Sequence, residues 1–201
     1  MEVPPEGSLL PETYEVQRGE DREAVLGAMR RARDATVAEL WAARAPDLPV
    51  KTPEEAVILA SIVEKETSVA SERPRIAAVY ENRLTKGMRL EADPVVIYGV
   101  SKGEPLGRGL TMSELQTITP YNSYRLVGLP PTPIANPGRA SLEAVLHPAR
   151  SNDLYFVADG SGGHAFSATW EEHLRNVARW RMIEASRKAT GVKTQTHNTG
   201  R

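Results

Sequence analysis

The chain has 201 residues, is 40% hydrophobic and 25% charged, and carries a formal net charge of -1. That balance fits a soluble globular protein and leaves no electrostatic footprint for nucleic acid. With no cysteine, disulfides, thiolate zinc sites and a cysteine nucleophile are excluded, and no apolar run approaches the ~20 residues of a membrane span.

The entry segment "PPEGSLLPETYEV" is punctuated by proline and glycine, and reads as loop with a short extended piece. From Asp21 to about Arg44, Val25, Met29, Val37, Leu40 and Trp41 recur at near-helical spacing, with Arg30, Arg31 and Arg33 on a basic outer face. Thr52-Pro53-Glu54-Glu55 is a helix start: a capping threonine, proline at the first helical position, and a glutamate that completes a capping box. A second helix is predicted from Ser71 to Leu84, with Ile76, Val79, Tyr80 and Leu84 on one side. Asp93-Pro94 reads as an N-cap followed by proline, and Thr111 to Glu114 as another capping box. "GLPPTPIANPG" holds four prolines in eleven residues, so it is a stiff ordered loop. A helix follows near Ala140 to Leu146. Leu154 to Ala158 and His164 to Ser167 then read as a hairpin around the five-residue loop "DGSGG". Thr169 to Glu172 opens a long last helix through about Arg187, and 191–201 reads as a polar tail. The class expected is α+β: a helix-rich domain over 1–190 with a small antiparallel sheet.

The helix after Pro53 poses the chemical question. At about 100° per residue, Glu66 falls between Ile62 and Val63, on the line of Leu59 and Ala70, in the middle of the apolar stripe. Glu64 falls on the other side, and reads with Lys65 as a surface charge pair at the helix end. Glutamate is rarely buried without a partner, and burial raises its pKa. Glu66 therefore reads either as a general acid that keeps its proton at neutral pH or as one half of a buried pair with an arginine.

Other chemistries lack their residues. There is no G-x-S-x-G elbow, and His147, His164, His173 and His197 make no familiar metal-ligand spacing. "GSGGH" is followed by a strand pattern rather than a helix, so it is no phosphate loop, and no lysine stands in a context that argues for a pyridoxal Schiff base. No metal or cofactor is expected. Tyr121, Asn122 and Tyr124 in "TPYNSYRLVGLPP" combine rings that stack on sugar faces with groups that hydrogen-bond hydroxyls, a mix that also suits an ordinary turn.

Taken in order, "EGSLLPETY", "ILASIVEKETSVASERPRIAAVYENRL", "MRLEADPVVIYGV", "PYNSYRLVGLPPTPIANPG" and "HPARSNDLYFVADGSGGHAFSATWEEH" resemble the endolytic murein transglycosylases called MltG or YceG-like. The blocks run from about Glu6 to His173. The family often has Phe and Asp where Leu10 and Glu12 stand here, and Thr-Asp-Pro-Thr in place of Ala92 to Val95. The resemblance implies that Glu66, just before the threonine of "EKET", is the catalytic acid. It implies cleavage of the β-1,4 bond between N-acetylmuramic acid and N-acetylglucosamine inside glycan strands, giving 1,6-anhydromuramic ends. Tyr121, Asn122 and Tyr124 would then position the sugar, with Asp93 and His164 as further contacts. It implies peptidoglycan strands as substrate, cell-wall synthases as partners, and a full-length protein at the periplasmic face of the inner membrane. A membrane anchor and a LysM-like segment are typical of the family, so the chain is expected to be the soluble catalytic part, without membrane contact of its own. Two alternatives stay open: a hydrolytic muramidase using Asp93 or Glu72 as second carboxylate, and a non-catalytic glycan-binding module.

Overall fold

The computed structural model describes residues 2–189; the polar tail expected over 191–201 lies outside them. The elements are α1 (Arg22–Ala42), α2 (Pro53–Glu66), a 3-10 turn (Ala70–Glu72), α3 (Arg73–Thr85), α4 (Asp93–Ser101), α5 (Met112–Gln116), α6 (Arg139–Leu146), β1 (Tyr155–Ala158), β2 (His164–Ser167) and α7 (Trp170–Ala189). The expected α+β class holds.

α2 is the hub. Ala56, Val57, Leu59, Ala60, Ile62 and Val63 are all buried, so the helix is apolar nearly all round. It packs against α6, α3, α1 and α4, and the core fills with Ile76, Tyr80, Leu90, Val95, Leu142, Val145 and Leu146 from those neighbours and the segments between them. Its start is capped as the sequence predicts, Thr52 Oγ1 accepting the Glu55 N–H at 3.1 Å. The Glu55 carboxylate reaches back to Lys51 N–H at 2.5 Å, one residue beyond the capping-box position. The helix stops at Glu66, where Thr67 turns extended. Ala70, which the helical period places beside Glu66, instead sits exposed in the 3-10 turn, and Leu59, Ile62 and Val63 carry the stripe alone.

The proline-rich loop after Gly128 is stiff and pinned to α2. Ile134 N–H donates to Ser61 Oγ at 3.0 Å. Glu64 is not the surface partner of Lys65: half-buried, it accepts Gly138 N–H at 3.1 Å and Ser141 Oγ–H at 2.6 Å, anchoring the N-terminus of α6. The entry segment forms no strand. Gly7 at φ +77° packs where a Cβ would lie 2.5 Å from Pro133 Cγ, so only glycine fits the approach.

β1 and β2 pair antiparallel, Tyr155 opposite Ser167 and Ala158 opposite His164, around the five-residue loop expected. Asp159 closes that loop by accepting both Ser161 N–H and Ser161 Oγ–H at 2.7 Å. The hairpin packs on α7 and α3. Among the described residues no helix is long and apolar enough to cross a membrane.

Candidate active site

Two clefts border the C-terminal end of α2, and Asp93 lines both. The smaller, about 340 Å³, is walled by Tyr80, Tyr124, Tyr155, Phe156 and Trp170, with Glu66 among its lining residues. The larger, about 710 Å³, is lined by Lys65, Thr67, Arg73, Ile97, Tyr98 and Asn136 among others. Both volumes fall in the ~300–1,000 Å³ range of ligand sites.

Glu66 is 3% exposed, and its Oε2 is buried without a hydrogen-bond partner. Burial pushes its pKa from 4.5 to about 8; the Tyr80 hydroxyl opposes that shift, the nearby Asp93 charge adds to it, and Arg83 opposes it weakly. The C-terminal end of α2, where Glu66 sits, carries partial negative charge and acts in the same direction as burial. The acid is therefore protonated at neutral pH. A fixed ion pair with an arginine, the other sequence reading, is not formed. Arg83, the nearest candidate, is committed elsewhere, donating to Leu154 O at 2.7 Å, Leu90 O at 2.9 Å and Arg89 O at 3.1 Å, and pairing with Glu91 at 3.2 Å.

Asp93 does not cap α4. Ala92 is the N-cap, and no side chain caps it. The Asp93 carboxylate instead accepts the Tyr124 hydroxyl at 2.6 Å. The loop 119–125 sets this pair. Ser123 Oγ accepts Ala92 N–H and donates to Ala92 O, both at 3.0 Å, while Glu91 N–H donates to Ser123 O at 3.1 Å. Glu91 takes φ 52°, a left-handed conformation costly for a non-glycine residue, at the point where the chain enters the cleft wall.

Of the residues read from sequence, Glu66, Asp93 and Tyr124 come together in the small cleft. Asn122 does not line it. Its amide donates to the carbonyls of Glu114, Leu115 and Thr117 and its Oδ1 accepts Tyr124 N–H, so it organises the loop that presents Tyr124. Tyr121 lines neither cleft; its ring lies 5.2 Å from that of Tyr98 and its hydroxyl meets Thr132 Oγ1 at 2.8 Å. His164 also stands outside. Its Nδ1 lies 2.7 Å from Glu72 Oε2 and its N–H donates to Glu72 Oε1 at 2.8 Å. Glu72 in turn accepts Thr67 Oγ1–H at 3.4 Å, so this string fixes the exit from α2 just after Glu66 and ties Glu72 to the hairpin.

Sequence reasoning missed Tyr155, Phe156, Trp170 and His173. Trp170 is 55% exposed at the rim, its ring tilted against His173 at 5.3 Å, and His173 stacks on Tyr155 at 5.1 Å. Burial, and then the Arg83 charge, hold the His173 imidazole below its usual 6.5, so it is neutral at pH 7. Tyr155 and Phe156 are successive residues of a strand, and nothing local says how the hairpin docks on α3 and α7 to bring both to the cleft. Among the described residues no group of three or more His, Asp or Glu side chains is placed to hold a metal ion.

A buried, protonated carboxyl with a free oxygen beside aromatic rings is chemically able to act as a general acid. A model of the YceG-like family matches residues 2–179, and the chain belongs to that family. The endolytic murein transglycosylase of Bacillus subtilis (strain 168) is 34% identical over 183 residues, 90% of this chain and 49% of the relative. That of Streptococcus pneumoniae serotype 2 is 33% identical over 86% of this chain and 32% of its own length. A crystal structure of a yceG-like protein from Listeria monocytogenes matches with TM-score 0.71 and 35% identity, over 84% of this chain and 54% of that one. The chain thus spans about half the length, or less, of the relatives it matches.

Proposed function

We propose that the chain is the catalytic part of an endolytic murein lytic transglycosylase with Glu66 as its single acid and base. The observation that carries this reading is the protonated Glu66 carboxyl, whose Oε2 has no partner and which lines the aromatic cleft. Glu66 gives its proton to the glycosidic oxygen between N-acetylmuramic acid and N-acetylglucosamine as the C1–O bond breaks. The carboxylate so formed takes the proton of the muramic C6 hydroxyl, whose oxygen closes on C1. The product is a 1,6-anhydromuramic end, and Glu66 is a carboxylic acid again. Water is not consumed, and the attack is intramolecular, which favours it. Asp93, held by Tyr124, sets negative charge beside the oxocarbenium-like centre, while Tyr155 and Trp170 offer stacking faces to the sugar. The proposed working place is the outer face of the cytoplasmic membrane, periplasmic where an outer membrane exists, alongside the synthases that make the strands.

Asp93 also favours a second reading, a hydrolytic muramidase, because retaining and inverting glycosidases need a second carboxylate near the acid. Glu72, the other candidate for that role, lines neither cleft and is tied to His164. Mass spectrometry of purified glycan strands, incubated with the chain and with Glu66→Gln, separates the readings. Internal fragments with anhydromuramic ends, lost in the variant, support the transglycosylase. Reducing ends support the hydrolase, and binding without cleavage by either protein supports a glycan-binding module.

A further inference from the structure

Buried polar atoms without partners are rare in folded proteins, and each calls for an explanation, a bound group being one. Among the described residues six side-chain atoms are in that state, and four of them line the two clefts. Glu66 Oε2 and His173 Nδ1 belong to the aromatic cleft. Arg73 Nε and Ser101 Oγ belong to the larger one. The unused hydrogen-bonding capacity therefore continues past Asp93, beyond the space that a sugar over Glu66 would fill.

The larger cleft differs in chemistry. Tyr98 is its one aromatic ring, and Pro94, Ile97, Leu106 and Leu110 supply aliphatic surface. Arg73 opens α3, a helix of 13 residues, so its guanidinium stands where the helix end is already positive. Neither Arg73 nor the exposed Lys65 forms a salt bridge among the described residues, whereas the other cation of the lining, Arg108, is held by Glu114 at 2.7 Å. Four acids line the same cleft: Glu64 is held by Gly138 N–H and Ser141, Asp93 accepts from Tyr124, and Glu6 and Glu104 form no salt bridge among those residues. Aliphatic walls with separated positive and negative groups fit a zwitterionic peptide better than a run of sugar rings.

We propose that the larger cleft seats the peptide stem of the muramic acid residue held over Glu66, with Arg73 pairing a stem carboxylate. This rests on the transglycosylase reading for the sugar's position. The stem leaves the muramic ring through its lactyl group, and the cleft opens from the same point, at Asp93. A carboxylate there satisfies Arg73 Nε, and the side-chain ammonium of the stem's diamino acid finds Glu6 and Glu104. The site thus selects stem-bearing strands over stripped ones.

The test uses N-acetylmuramyl tripeptide in two forms, with free carboxylates and with those carboxylates amidated, titrated into the chain by calorimetry. The free form is expected to bind at least ~10-fold tighter, the scale of a charge-assisted hydrogen bond. Arg73→Gln is expected to erase that difference and Arg73→Lys to restore part of it, with thermal melting confirming that both variants fold. Equal affinity of the two forms for the unaltered chain, no binding of either at millimolar concentration, or a preference that survives in Arg73→Gln would each overturn the assignment. Because binding is read without cleavage, its failure is distinct from failure of the transglycosylase reading, which the anhydromuramic ends decide.

Discussion

Glu66 and Glu81 are two glutamates with the same electrostatic signature and different surroundings. Both are nearly inaccessible, at 3% and 6% exposure, each has a buried oxygen without a partner, and burial pushes each pKa from 4.5 to about 8. They differ in what lies beside them. Glu66 ends α2 in a cleft with Tyr80, Asp93 and Tyr124, whereas Glu81 sits within α3, lines neither cleft, and owes its shift to burial alone. A raised pKa makes an acid; only an open wall beside it makes a site. The comparison is breakable, because Gln at either position keeps the shape and removes the proton donor.

The largest expected effect is on catalysis. Glu66→Gln should lower strand cleavage at least ~10²-fold, the lower end of what a general acid contributes. Glu81→Gln should leave the rate within about twofold of the unaltered chain, within the range of a change remote from the chemistry. Counting anhydromuramic ends over time checks both, and a Glu81→Gln variant as inactive as Glu66→Gln would break the distinction.

Stability should treat the two residues alike. In the unfolded chain each carboxyl ionises above 4.5, while in the folded chain it holds its proton to about 8. Each therefore costs nothing below pH 4.5, destabilises progressively as pH rises to about 8, and levels off above that. At 1.36 kcal/mol per unit the ceiling is about 5 kcal/mol for each. Since a buried glutamine leaves its own amide unsatisfied, at about 1–3 kcal/mol, the gain at pH 8 should be smaller than the ceiling. Urea unfolding at pH 4.5 and pH 8 should show both variants with a flatter pH dependence than the unaltered chain.

How far the site was legible follows from where its residues come from. Glu66 is readable because the period of one helix places it on the Leu59–Ile62–Val63 face, although Ala70, which the same period adds to that face, lies past the helix end. Glu81 gives no signal of its own, since its neighbours Val79, Tyr80 and Leu84 already account for the helix face. Tyr80 looked like core and is core, but its hydroxyl also acts on Glu66. The elements were legible too, down to the hairpin and its five-residue loop, because capping, proline and alternation are local. The aromatic wall was not, because Tyr155, Phe156 and Trp170 reach the cleft by docking the hairpin and α7 against α3, and long-range docking leaves no period in the chain.

Asp93 sharpens the comparison further, since it is the charge that Glu66 feels and Glu81 does not. With Asp93→Asn, Glu66 should lose its proton at lower pH. For the unaltered chain kcat/KM should be flat below about pH 7 and fall tenfold per unit above about 8, because the acid must be protonated to act. In Asp93→Asn that falling limb should move down by about one unit or less. Near-complete loss of cleavage at every pH, together with reducing rather than anhydromuramic ends from the unaltered chain, would instead identify Asp93 as the second carboxylate of a hydrolase.

The smallest effect separates Tyr121 from Tyr124, which the sequence presents as equivalent. The Tyr124 hydroxyl donates to Asp93 at 2.6 Å inside the cleft, whereas that of Tyr121 meets Thr132 away from it. Tyr124→Phe removes a hydrogen bond to a charged group, worth about 1.5–3 kcal/mol where no water replaces it. Both ends of that bond face an open cleft, so water takes much of its place and the loss in kcat should be no more than about tenfold. Asp93 would then be freer to move, and the pH at which Glu66 releases its proton should broaden or shift. Tyr121→Phe should change neither kcat nor that pH. Equal effects from the two tyrosines would mean that the loop 119–125 acts on the site as one rigid piece, and that Tyr124 matters for its packing rather than for the proton it lends to Asp93.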